Sequence, residues 1–110
     1  MNDKNSEISS MTKIFKENIK NELKTILGSE KEIDKIVLFG SFIYSDNPND
    51  VDIAVFQTSN NKYLDLALKY RKLTRKISKK IPLDIIPIKS GVKNSSFMTE
   101  IESGEVIYER

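Results

Sequence analysis

The chain alternates between short apolar runs and longer stretches where apolar residues recur at helical spacing. Three runs read as strands: residues 33–39 with Ile36-Val37-Leu38-Phe39, residues 50–57 with Val51-Asp52-Ile53-Ala54-Val55-Phe56, and residues 83–88 with Leu83-Asp84-Ile85-Ile86. Residues 10–27 read as a helix, with Met11, Ile14, Phe15, Ile19, Leu23 and Ile26 on one stripe. Ser9 or Ser10 would cap it, and Gly28 is placed to stop it. A long helix is predicted over 62–80, with Leu66, Tyr70, Leu73 and Ile77 facing inward. Residues 42–49 read as a loop, because Asp46-Asn47-Pro48-Asn49 is strong turn chemistry. A short helix is expected over 94–103, and residues 105–109 add a last strand or arm. Pro87 predicts an edge position, or early termination, for the third strand.

The pattern is α/β (α+β): a small mixed sheet with flanking helices. Residues 1–9 read as a flexible tail and residues 10–110 as a single domain. The expected core holds Val37, Phe39, Ile53, Val55, Leu66, Tyr70, Leu73, Ile77 and Ile85.

Three carboxylates interrupt this pattern. Asp52 and Asp84 lie inside apolar runs, and Asp50 opens the second run. An unpaired buried charge is very costly, so a strand does not take one without a reason. Alternate strand residues face the same way, so Asp50 and Asp52 share one face while Val51, Ile53 and Val55 share the other. Gly40-Ser41 closes the first apolar run just before this site. Taken singly, Gly40-Ser41 is an ordinary strand-to-loop turn, Asp50 a turn residue and Asp84 a solvated edge residue. The joint pattern singles them out: clustered carboxylates beside a Gly-Ser turn suit a divalent metal next to a phosphate. Held close, such carboxylates repel one another, which raises at least one carboxyl pKa.

Composition narrows the chemistry. The chain of 110 residues has no Cys and no His, so thiol chemistry, disulfides, Cys/His zinc sites and an imidazole base are excluded. Asp, Glu, Lys or Tyr must do any acid–base work. No stretch approaches the ~20 apolar residues of a membrane span, and the polar start lacks a signal-peptide core. A cytoplasmic protein without membrane association is expected. The net charge of +2 does not by itself argue for nucleic acid. The cations Lys69, Arg71, Lys72, Arg75, Lys76, Lys79 and Lys80 do crowd one helix face. That face is either solvated or an electrostatic surface for RNA, a nucleotide or an acidic partner. No aromatic residue is interleaved there to stack on bases, so nucleic acid is only weakly supported.

The sequence apolar-Gly-Ser, short loop, Asp50-Val51-Asp52-Ile53, then a distant Asp84 in a strand resembles the polymerase-beta-type nucleotidyltransferase superfamily. The small size resembles its minimal nucleotidyltransferases (MNT), the antitoxins of HEPN/MNT toxin–antitoxin pairs. The tail Glu100 to Tyr108 carries a weaker echo. The resemblance implies a polymerase-beta palm-like fold and transfer of a nucleoside monophosphate from a nucleoside triphosphate, ATP foremost, to an acceptor hydroxyl. It implies Mg²⁺ (or Mn²⁺) held by Asp50, Asp52 and Asp84, which are also the catalytic residues. Paired metals ~3.5–4 Å apart stabilise both the attacking and the leaving oxygen. Asp84 would take the acceptor's proton, and Gly40 and Ser41 would bind the nucleotide's phosphates. A HEPN-type toxin is the implied partner, with a homodimer as the other arrangement. The loop 42–49 departs from the family pattern, having neither cation nor glycine. A Lys or Arg from the 62–80 helix, or from a partner, must then offset the triphosphate's charge. The alternative is a catalytically weak or inactive binding module that regulates a partner protein.

Overall fold

The computed structural model describes residues 3–92 and 98–110. In chain order the elements are α1 (Asp3–Gly28), β1 (Ile33–Phe39), α2 (Ser41–Tyr44), β2 (Val51–Gln57), α3 (Tyr63–Leu73), α4 (Arg75–Ser78), β3 (Leu83–Lys89), α5 (Met98–Glu102) and β4 (Glu105–Glu109). The four strands form one sheet in the order β3-β2-β1-β4. β1 pairs antiparallel with β2 and with β4, whereas β2 and β3 run parallel. The sheet is therefore mixed, and the fold is α/β with flanking helices.

Period-2 alternation assigns the two faces. Ile36, Leu38, Val51, Ile53, Val55 and Ile85 point at the helices and pack with Ile19, Leu23, Leu27, Leu66, Tyr70 and Ile77. Val37, Phe39, Ala54 and Phe56 point the other way and are covered by Ile101 of α5. Burying such side chains contributes ~1.5–3 kcal/mol each, which is the main term holding the layers together. Tyr70 is fully buried, and its hydroxyl donates to Glu32 Oε2 at 2.9 Å. Lys69 Nζ reaches the same oxygen at 2.8 Å. Burial alone would push the Glu32 carboxyl up; these two donors and a backbone hydrogen bond hold it below its ordinary value.

The observed elements differ from the predicted ones in several places. Helix α1 begins at Asp3, so residues 3–9, read above as a tail, are helical. They contain no Gly or Pro, and a nucleated helix extends at little cost. Its buried stripe is Ile19, Leu23 and Leu27, while Ile14 is 62 % and Phe15 36 % exposed, because the sheet meets only the C-terminal half. Gly28 does end α1, but without a positive φ; a Cβ there would press on the Tyr108 ring at 3.1 Å. The loop 42–49 starts as a helical turn, α2, which swings Phe42 into the core.

The 62–80 helix is broken at Thr74 into α3 and α4. Thr74 is 1 % exposed and its hydroxyl donates back to the Tyr70 carbonyl at 2.8 Å, a competing bond that bends helices. Thr74, not Leu73, lies on the inward stripe between Tyr70 and Ile77, so Leu73 is 37 % exposed. Most of the predicted 94–103 helix is outside the described residues; the described part is α5. No described helix is long and apolar enough to cross a membrane.

Candidate active site

The site forms where β1 ends and β2 and β3 begin, beside α2. Phe39 of β1 pairs with Asp52 of β2, and Asp52 is the register partner of Asp84 of β3. Parallel neighbours run about 4.8 Å apart, so both carboxylates leave adjacent strands from the same face, the one away from α1 and α3. Asp50 lies just before β2 and is exposed, as is Asp84; Asp52 is half-buried.

Gly40 sits directly against Asp52. Its φ of +77° with ψ of −160° belongs to backbone that only glycine adopts readily. A Cβ on Gly40 would collide with Asp52 Oδ2. The glycine therefore does two jobs: it turns the chain out of β1 into α2, and it leaves room for a carboxylate over the turn. Ser41 follows, exposed, at the first position of α2. The first amides of a helix have no intrahelical acceptor, so the turn presents free donors beside the carboxylates.

The electrostatics single out Asp52. Burial pushes its carboxyl above the ordinary value, and the charges of Asp50, Asp84 and Glu100 push it further. Among the described residues no cation pairs with Asp50, Asp52 or Asp84. Nor is any set of three acids gathered there into ready metal ligands. The three carboxylates share a neighbourhood without closing on a common point among the described residues. Asp52, Asp84 and Asp50 supply hard oxygen donors, the chemistry that Mg²⁺ takes when substrate phosphates and waters complete its shell. Such a cation would offset the repulsion that Asp52 feels. The donor set fits the ion.

Two participants were not singled out from the sequence. Glu100, on α5, acts on Asp52 across the open face; its only signal was its place in the tail that echoes the family. Lys16, on α1, lies against the 42–49 loop, which has no cation of its own. Its Nζ donates to the Ser45 carbonyl at 2.6 Å and lies 5.6 Å from the centre of the Phe42 ring. With Thr12, Lys13, Lys20, Ile43 and Asp46 it lines a cleft of about 410 Å³ between α1 and the loop.

A β-sheet with Gly-Ser turning under a strand carboxylate, and a second carboxylate in register beside it, defines a nucleotidyltransferase-type domain. The family model described as "Polymerase beta, Nucleotidyltransferase" matches residues 21–110, and the chain belongs to that family. Among solved structures it is similar to a mutant of the toxin–antitoxin complex MntA–HpeT, with 17 % sequence identity and a TM-score of 0.54. That likeness covers 79 % of this chain and 68 % of the other, and it shows a shared fold. No curated protein matches the chain.

Proposed function

We propose that the chain is a Mg²⁺-dependent (or Mn²⁺-dependent) nucleotidyltransferase that moves a nucleoside monophosphate from a nucleoside triphosphate, ATP foremost, to an acceptor hydroxyl. The observation that carries this reading is the triple juxtaposition of Gly40, Asp52 and Asp84: a glycine that a side chain cannot replace, under a carboxylate in register with another. A divalent metal held by these carboxylates would supply positive charge against the triphosphate. Asp50 and Asp52 would hold the metal, and Asp84 would complete the ligand set and take the acceptor's proton. Gly40 allows close approach of the phosphates, and Ser41 donates to them. Lys13 and Lys16 line a cleft beside the loop that follows.

The domain is small and its site open, so the acceptor is a small molecule or is offered by a second protein. The neighbour MntA–HpeT is a toxin–antitoxin complex. We take a toxin protein, of HEPN type by the sequence resemblance, as this chain's partner, in cytoplasm. The competing reading, a regulatory module without catalysis, is favoured by a Gly-Ser loop that has no cation of its own.

Incubation with Mg²⁺ and α-phosphate-labelled nucleoside triphosphates in an extract of the source cells separates the two. Wild type transfers label to a macromolecule or small hydroxyl compound, and Asp52→Asn does not. A wild-type protein that binds Mg²⁺ and the nucleotide by calorimetry yet transfers no label establishes the regulatory module.

A further inference from the structure

Strand β3 is the edge of the sheet, and only part of that edge is closed. The N–H of Val51 donates to the Pro82 carbonyl at 3.0 Å, and that of Ser90 to the Gln57 carbonyl at 2.8 Å. With the parallel register of β2 and β3, the even residues from 82 to 90 direct their backbone groups at β2. The odd residues Leu83, Ile85 and Pro87 direct theirs outward. Pro87 has no N–H, so the far half of the edge cannot receive a strand, a device that sheets use against stray pairing. At Leu83 and Ile85 both N–H and C=O remain available, and among the described residues no strand covers them.

Beside this open half runs a groove of about 590 Å³ between β3 and helices α3 and α4. It is lined by Leu68, Arg71, Lys72, Arg75, Leu83 and Ile85, among others. Leu68 is 54 % exposed. Of the basic helix face, Lys69 is held by Glu30 and Glu32, and Lys80 by Glu22. Among the described residues Arg71, Lys72 and Arg75 have no anionic partner. Arg71 and Lys72 end α3 and Arg75 opens α4, all three lining the groove beside a strand edge whose hydrogen bonds are unmade.

We propose that this edge and groove dock an extended acidic segment of a partner protein, which adds as a strand at Leu83–Ile85. This rests on the reading that the chain works with a protein partner, and it names the surface and the chemistry of what binds there. The exposed backbone groups call for a peptide, since only a peptide supplies matching N–H and C=O at strand spacing. The cations call for acidic side chains on alternate positions, and Leu68 for an apolar one. A second copy does not fit: twofold pairing of this edge would set Arg71, Lys72 and Arg75 against their own equivalents. RNA does not use the strand edge, and the groove offers no aromatic face for its bases.

The test is fluorescence anisotropy with a short labelled peptide of alternating Glu and Val. Three comparisons accompany it: the same peptide with alternate amides methylated, a Lys–Val peptide, and a single-stranded RNA of matching charge. The protein is also made as Arg71→Ala/Lys72→Ala/Arg75→Ala, all three positions being exposed, with folding checked by its melting curve. The Glu–Val peptide binds wild type, and the triple variant loses about tenfold in affinity, the sum of a few exposed charge contacts. Amide methylation abolishes binding, and added salt weakens it. No binding of the Glu–Val peptide, equal binding of the methylated peptide, equal binding by the triple variant, or tighter binding of the RNA each overturns the proposal. None of these outcomes bears on nucleotidyl transfer, which is measured separately.

Discussion

At the scale of single residues, the cost of the site concentrates on Asp52. It is the one site carboxylate enclosed by protein, and it faces three other acids. Its folded pKa is raised, so the folded protein holds this proton more tightly than the unfolded chain does. The residue therefore destabilises the fold at pH above its folded pKa, and the effect fades as pH falls through that value toward the unfolded one. Asp52→Asn is expected to stabilise the metal-free protein by about 0.5–2 kcal/mol at neutral pH, a common scale for stability given up to function. The difference between variant and wild type closes on acidification. Asp84 is exposed, and Asp84→Asn should change metal-free stability by less than about 0.5 kcal/mol. Urea unfolding at neutral and acid pH in chelator checks both. An Asp52→Asn protein less stable than wild type at neutral pH would show that Asp52 is a structural anchor instead.

At the scale of elements, what was legible followed from periodicity. The apolar runs around Val37, Ile53 and Ile85 located all three long strands, since alternation survives any register. The Gly40-Ser41 turn and the Asp residues were legible because their types conflict with their surroundings. What was not legible depended on tertiary contact. Nothing local shows that Thr74 faces inward and back-bonds to Tyr70, or that α1 outruns the sheet and leaves Ile14 in water. Lys16 could not be chosen among many lysines before α1 was laid beside α2. Gly104 shows the same dependence. It joins α5 to β4, and a Cβ there would strike the Leu38 carbonyl and crowd Val37 Cγ1 at 2.9 Å. The obstacle is strand backbone, which cannot swing aside. Gly104→Ala should therefore lower stability by about 1–3 kcal/mol, the usual cost of overpacking. A urea midpoint unchanged by the substitution would mean that α5 and β4 sit farther from β1.

At the scale of the whole molecule, the sheet separates two tasks. Its helix-facing side is a continuous apolar core with fully buried Ile19, Leu23, Ile53 and Tyr70. Its other side carries the carboxylates, roofed in part by α5. The edge at β3 adjoins both the candidate site and the basic groove, so the proposed catalytic and docking surfaces occupy neighbouring borders of one sheet. The account's central claim is that Asp50, Asp52 and Asp84 form one anionic site completed by a divalent cation and a triphosphate. Thermal unfolding in chelator, in Mg²⁺ alone, and in Mg²⁺ with each ribonucleoside triphosphate tests it most directly. A ligand that binds only the folded state adds about 2.7 kcal/mol at a hundred times its dissociation constant. Wild type should melt at a higher temperature with Mg²⁺ and at least one triphosphate, and Asp52→Asn should lose that shift. No shift in wild type with any of the four nucleotides and either Mg²⁺ or Mn²⁺, or an undiminished shift in Asp52→Asn, would contradict it.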